Sequence, residues 1–139
     1  MVTNCGLSDT AKKAIAGYLY GERSIACKEE SIPSVVYSHP NVAQVGFTEK
    51  KAREQGLTIE VRRGEYAANI IARTELRGNG FVKAIFCEDK LVGATIVGDD
   101  ASELISAMSL AIANSLGKKE LKQWIIPHPT LSEIFHGIS

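Results

Sequence analysis

The chain has no net charge, no long apolar run and few cysteines, and each shortage removes a class of function. Sixteen Lys and Arg balance sixteen Asp and Glu over 139 residues. The basic footprint of a nucleic-acid binder is therefore missing, as is any electrostatic reason to settle on an anionic membrane. No apolar stretch approaches the ~20 residues that span a bilayer. The first residues, MVTNCGLSDTAKK, lack the basic and apolar regions of a signal peptide, which makes the cytoplasm the expected compartment. Cys5, Cys27 and Cys87 form neither a CxxC nor a Cys/His cluster with zinc spacing, and they read as reduced, partly buried thiols. GxGxxG, Walker A, GxSxG and HExxH are absent as well. Gly78-Asn79-Gly80 enters a strand and opens no helix. The sequence thus displays no means of holding a dinucleotide, cutting an ester or binding catalytic zinc.

What is present is an ordinary globular balance, 45% hydrophobic and 23% charged, in a length suited to one domain. Residues 8–21 read as a short helix capped by Ser8 or Asp9, and residues 22–31 as a linker. After Pro33 the pattern turns strand-like: SVVY (34–37), a turn at HPN, then VAQVGF (42–47). Thr48 is placed to cap a helix that Gly56 closes, and 57–66 alternates as a strand. AANIIARTELRG supports only a short helical turn. The segment 80–98 reads as a hairpin about a tight turn at Glu88-Asp89-Lys90. Leu104, Ile105, Met108, Ala111, Ile112, Ser115 and Leu116 trace one helical face, with Gly117 as its stop. KKELKQW is a shorter helix that IIPHP breaks. Sequence-adjacent hairpins with helices before and after predict an α+β fold, an antiparallel sheet of about five strands flanked by helices.

The tail, IIPHPTLSEIFHGIS, carries the one constellation that suggests chemistry. Pro127 and Pro129 restrict the backbone on both sides of His128. Thr130 as N-cap places Glu133 at N3 of a last helix, a T-x-x-E capping box. Local spacing favours that purely structural role for Glu133, and a backbone-bonded loop role for His128. The roles are compatible with another. A carboxylate in the first turn is close enough to hold one ring nitrogen of His128, leaving the second as a base. His39 reads as a structural turn residue and His136 as solvent-facing.

Three segments then resemble one family. IPSVVYSHPNVAQVGFTEKKAREQG is similar to the opening of the C-terminal dimerisation domain of the pyridine nucleotide–disulfide oxidoreductases. GFVKAIFCEDKLVGATIVGDDASELISAMSLAI resembles its hairpin and long helix, and HPTLSE its catalytic tail. Leu131 and Ser132 bring the tail nearest to dihydrolipoamide dehydrogenase. The resemblance implies that residues 1–31 are a remnant of a preceding FAD-domain helix plus linker, and that 32–139 are the interface domain. It implies a homodimer in which His128, oriented by Glu133, is acid/base beside the partner subunit's FAD and redox disulfide. The backbone at His128 and Pro129 would approach that flavin. FAD and NAD would belong to the full-length parent, a dihydrolipoyl dehydrogenase serving lipoyl-bearing proteins. None would be bound by this chain alone, which is expected to be inactive, since the CxxxxC pair and both nucleotide fingerprints are missing. Ile126 stands where the family tail often has a second His. The chemistry is consistent: a thiol of pKa ~8.5 is only about 3% thiolate at pH 7, and the thiolate is what attacks a disulfide. Two alternatives are a non-catalytic homodimerisation module and the same domain of a glutathione-reductase-type enzyme.

Overall fold

A computed structural model describes residues 2–3, 28–75 and 79–139. The helix expected over 8–21, Cys5, Cys27 and Gly78 lie outside the described residues. Strands β1 (Val2–Thr3), β2 (Ser34–Val36), β3 (Val42–Gly46), β4 (Ile59–Glu65), β5 (Phe81–Cys87) and β6 (Lys90–Val97) form a single sheet. Its order is β1-β2-β3-β6-β5-β4, and every pairing is antiparallel. The expected five strands are all present, and the two-residue β1 extends the edge beside β2.

The β5–β6 hairpin organises the sheet. Glu88 and Asp89 both take positive φ, 48° and 65°, as a two-residue type I′ turn requires. The turn is one residue shorter than the sequence suggested, because Lys90 already pairs with Cys87 as the first residue of β6. Asp89 also receives the Nζ of Lys118 at 2.5 Å, and that amine reaches Glu60 on β4 at 2.7 Å.

Helix α1 (Glu49–Glu54) begins where Thr48 accepts the Lys51 N–H at 3.2 Å. Beyond it Gly56 adopts φ +72°, a conformation that suits a helix end and costs a side chain dearly. Helix α2 (Ile70–Thr74) is the short turn expected in AANIIART, preceded by a 3-10 turn at Tyr66–Ala68. Helix α3 (Ala101–Ala113) lies across β3 and β6. It buries Ala101, Leu104, Ile105, Met108, Ala111 and Ile112 against Ala43, Val45, Ala84, Ala94 and Ile96. The 3.6-residue spacing of these positions is what aligns them on one stripe. Each large aliphatic side chain removed from water contributes about 1.5–3 kcal/mol, while alanines on the strands let the helix approach closely.

One boundary differs from expectation. Helix α3 ends at Ala113, with Ser115 in the left-handed region at φ 53°, and Gly117 is not its stop. Gly117 caps the next helix, α4 (Lys118–Gln123), and its N–H donates to Glu120 Oε2 at 2.8 Å. A Cβ at Gly117 would stand 2.3 Å from the Asp89 carbonyl oxygen, so the glycine is required by the hairpin turn packed beside it. The chain then leaves α4 through Trp124 and closes with a 3-10 helix over Leu131–Gly137 that lies along β4.

Candidate functional site

The tail is fastened to the rest of the fold by three different contacts. Trp124 and Phe135 stack with ring centroids 5.4 Å apart, and Ile134, Phe135 and Ile138 are buried in the core. The apolar side chains Ile134 and Phe135 of the terminal 3-10 helix are therefore turned inward. At the far end Gly137 meets Gly64 of β4. A Cβ on Gly64 would fall 2.6 Å from the Ile134 carbonyl oxygen, and one on Gly137 would fall 2.7 Å from the Gly64 Cα. Two backbones in contact explain a glycine inside a strand. At the near end the buried Asn69 donates from Nδ2 to the carbonyls of Thr130 and Leu131, at 3.0 and 3.2 Å. Its Oδ1 accepts the Ala72 N–H at 3.0 Å and so caps α2.

On this anchored segment the Glu133 half of the predicted capping box forms, while the Thr130 side chain makes no cap hydrogen bond. Thr130 N–H donates to Glu133 Oε2 at 3.0 Å, and Thr130 Oγ1 donates to the Pro127 carbonyl at 2.8 Å. The remaining carboxylate oxygen, Oε1, lies 2.9 Å from His128 Nδ1. Capping and orienting the imidazole are thus performed by the same carboxylate. The Glu133 side chain is 19% exposed and that of His128 is 70% exposed, so the acid is sheltered and the ring looks outward. The His128–Pro129 peptide bond is cis. Nδ1 faces the Glu133 carboxylate, and Nε2 has no hydrogen-bond partner among the described residues. The hydrogen bond from His128, followed by that from the Thr130 N–H, holds the Glu133 carboxyl below its ordinary value of 4.5. Glu133 is therefore ionised at neutral pH.

A cleft of about 350 Å³ opens beside the pair, lined among others by Gly64, Asn69, Ile70, His128, Glu133 and His136. Sequence spacing assigned His136 no relation to His128, yet the 3-10 helix returns it to the same cleft. His39 stands apart: it is exposed in the turn between β2 and β3, with Nδ1 4.0 Å from Asp99. Cys87 is a free, half-buried thiol. Among the described residues no group of His, Cys, Asp and Glu could hold a metal ion, and no helix is long and apolar enough to cross a membrane.

The described residues thus form an antiparallel sheet backed by helices, with a sheltered acid beside an exposed imidazole on the terminal segment. Residues 32–138 match the family model described as the pyridine nucleotide-disulphide oxidoreductase dimerisation domain, and the chain belongs to that family. It is 38% identical over 109 residues to a dihydrolipoyl dehydrogenase of Zymomonas mobilis, spanning 77% of this chain and 23% of that protein. It is 45% identical over 105 residues to a dihydrolipoyl dehydrogenase of Bacillus subtilis, spanning 74% of this chain and 22% of that one. Among solved structures, the flavoprotein disulfide reductase RclA from Escherichia coli superposes with a TM-score of 0.79 at 30% identity, over 88% of this chain and 29% of RclA. LpdA from Mycobacterium tuberculosis shares the fold, with a TM-score of 0.81 at 23% identity over 88% of this chain and 28% of that chain. The chain thus spans under a third of the length of the relatives it matches.

Proposed function

We propose that this chain is the dimerisation domain of a dihydrolipoyl dehydrogenase-like flavin disulfide oxidoreductase, and that His128 and Glu133 supply the acid/base pair used at the partner subunit's disulfide. The observation that carries the reading is the 2.9 Å contact between His128 Nδ1 and Glu133 Oε1, made on an exposed ring. The proposal includes the division of the chain near residue 31, the homodimer, lipoyl-bearing proteins as partners and a cytoplasmic location.

The chemistry follows from the pair itself. A dithiol substrate must lose a proton before its sulfur can attack a disulfide. His128 Nε2 accepts that proton, and the Glu133 carboxylate stabilises the imidazolium that results. The attacking thiolate forms a mixed disulfide as the old S–S bond breaks, and the leaving sulfur departs as a thiolate. Returning the proton from Nε2 to solvent resets the base. Microscopic reversibility makes the same group the acid in the opposite direction.

The residues present fit a flavin only as an edge. The chain offers no glycine-rich phosphate cradle, while His128 and Pro129 are exposed side by side, as a surface that closes over another subunit's cofactor would be. Flavin, when bound there by the parent's other domains, supplies the electron acceptor between dithiol and NAD. His128→Gln in the intact flavoenzyme tests the reading. Turnover should fall roughly 10²–10⁴-fold, the usual share of a general base, with flavin content unchanged. Turnover near that of the wild type would remove His128 from the chemistry.

A further inference from the structure

We propose that Asn69 is the positioning residue of the His128–Glu133 pair, an assignment that rests on the function proposed above. Asn69 is 5% exposed, one of two polar residues buried among the described ones. Its amide serves two elements through two different atoms. Oδ1 holds the first turn of α2 through the Ala72 N–H, while Nδ2 donates to both Thr130 and Leu131 carbonyls. Thr130 is the residue whose N–H fixes Glu133 Oε2 and whose hydroxyl holds the Pro127 carbonyl. The Thr130 carbonyl also receives the Glu133 N–H at 3.4 Å. Asn69 therefore grips the peptide between His128 and Glu133 from inside the fold. The path runs from the buried amide to Thr130, then to the carboxylate, then to the ring.

Capping alone does not require an amide. An Asp, Ser or Thr would cap α2 as well as Asn does. What only an amide supplies at this site is an acceptor for the helix together with a two-proton donor for the tail. The pairing of these two functions in one buried side chain marks it as a device for setting the tail's register.

The division between atoms makes the test selective. Asn69→Asp keeps the cap acceptor but turns a carboxylate oxygen toward the Thr130 and Leu131 carbonyls, where nothing can be donated at neutral pH. Asn69→Ser keeps a cap oxygen without adding charge. Both are compared with His128→Gln in the intact flavoenzyme, reading kcat, KM, the pH profile of kcat/KM, flavin content, dimer mass and amide hydrogen exchange over residues 125–139. The expected result for N69D is a kcat lowered roughly 10–10²-fold, the cost of a misplaced catalytic group. KM for the nicotinamide should be unchanged, the pH profile displaced, flavin and dimer mass retained, and exchange faster in the tail. If H128Q is impaired while N69D and N69S keep wild-type turnover and tail protection, Asn69 has no positioning role. If both variants lose flavin or dimer mass, Asn69 is a folding residue and the assignment fails. A wild-type turnover in H128Q would sink the function proposed above instead, whatever the Asn69 variants do.

Discussion

Glu133 divides its two carboxylate oxygens between His128 and Thr130: Oε1 lies 2.9 Å from His128 Nδ1, and Oε2 accepts the Thr130 N–H at 3.0 Å. One side chain thereby terminates a helix and orients an imidazole. A capping box is normally a local device, valued at about 1 kcal/mol. Here it also fixes the direction in which an exposed imidazole points, so its two contacts are separable only by substitutions that remove one oxygen's work at a time.

Glu133→Gln is such a substitution. Gln is acceptable at N3 of a capping box, but it has one acceptor oxygen for two donors and no charge. The tail should stay folded, with little loss of stability. Turnover of the intact flavoenzyme should fall about tenfold, because the imidazolium loses its counter-charge. Chemical denaturation and steady-state kinetics on one preparation check both halves. A large loss of stability with unchanged turnover would reverse the roles assigned to the carboxylate.

Gly64→Ala should disturb the site from the other side of the tail. The added methyl meets the Ile134 carbonyl at 2.6 Å and the Val82 side chain at 3.1 Å, and the first of these is backbone, which cannot swing aside. The 3-10 helix must lift from β4, at roughly 1–3 kcal/mol, the usual cost of overpacking. Urea unfolding measures this. Equal stability of G64A and the wild type would mean that the tail does not sit on β4 as described.

These features differ in how far the sequence disclosed them. The α3 stripe and the hairpin were legible because period and turn chemistry are local, and the same holds for Thr130-x-x-Glu133. The proximity of His128 to Glu133 was legible as a possibility, since five residues across a cap cannot place them far apart. Asn69 was not: its position before α2 signals a cap, but its grip on Thr130 joins residues 61 apart in sequence, which no local pattern encodes. Gly64 read as one member of an alternating strand, and its reason is Gly137, far along the chain. Gly117 looked like a helix stop because glycine after an apolar stripe usually is one. Asp89, packed against it, is what decided otherwise.

The apolar surface left on the domain argues for where a second copy sits. Ile125 is 91% exposed and Leu110 is 64% exposed, whereas the apolar side chains of the terminal helix are buried. Ile125→Glu removes nothing from the core, so the folded domain should keep its unfolding free energy within the ±0.5 kcal/mol typical of surface changes. If this edge meets the partner in the proposed homodimer, a buried, uncompensated charge there should weaken association markedly. Light scattering across a concentration series reads the result. An unchanged dimer would place the contact away from the segment that leads into His128.

Acid should release the tail as the Glu133 carboxyl takes up its proton. Its carboxyl is held below the ordinary 4.5 first by the hydrogen bond from His128 and then by that from Thr130. A group whose folded value is depressed stabilises the fold above its unfolded value and loses that contribution as pH falls through the folded one. The difference in stability between wild type and Glu133→Gln should therefore be complete at neutral pH and begin to shrink near pH 4.5. It should vanish below the depressed value, where both side chains are uncharged. Glu60, lowered by Lys118 and Arg62, titrates in the same range but is common to both proteins and cancels in the difference. Trp124 is the only tryptophan of the chain and stacks on Phe135 of the tail, so its fluorescence reports the relevant segment during urea unfolding at each pH. A difference that stayed constant from pH 7 down to pH 3 would show that the Glu133 charge contributes nothing to holding the tail.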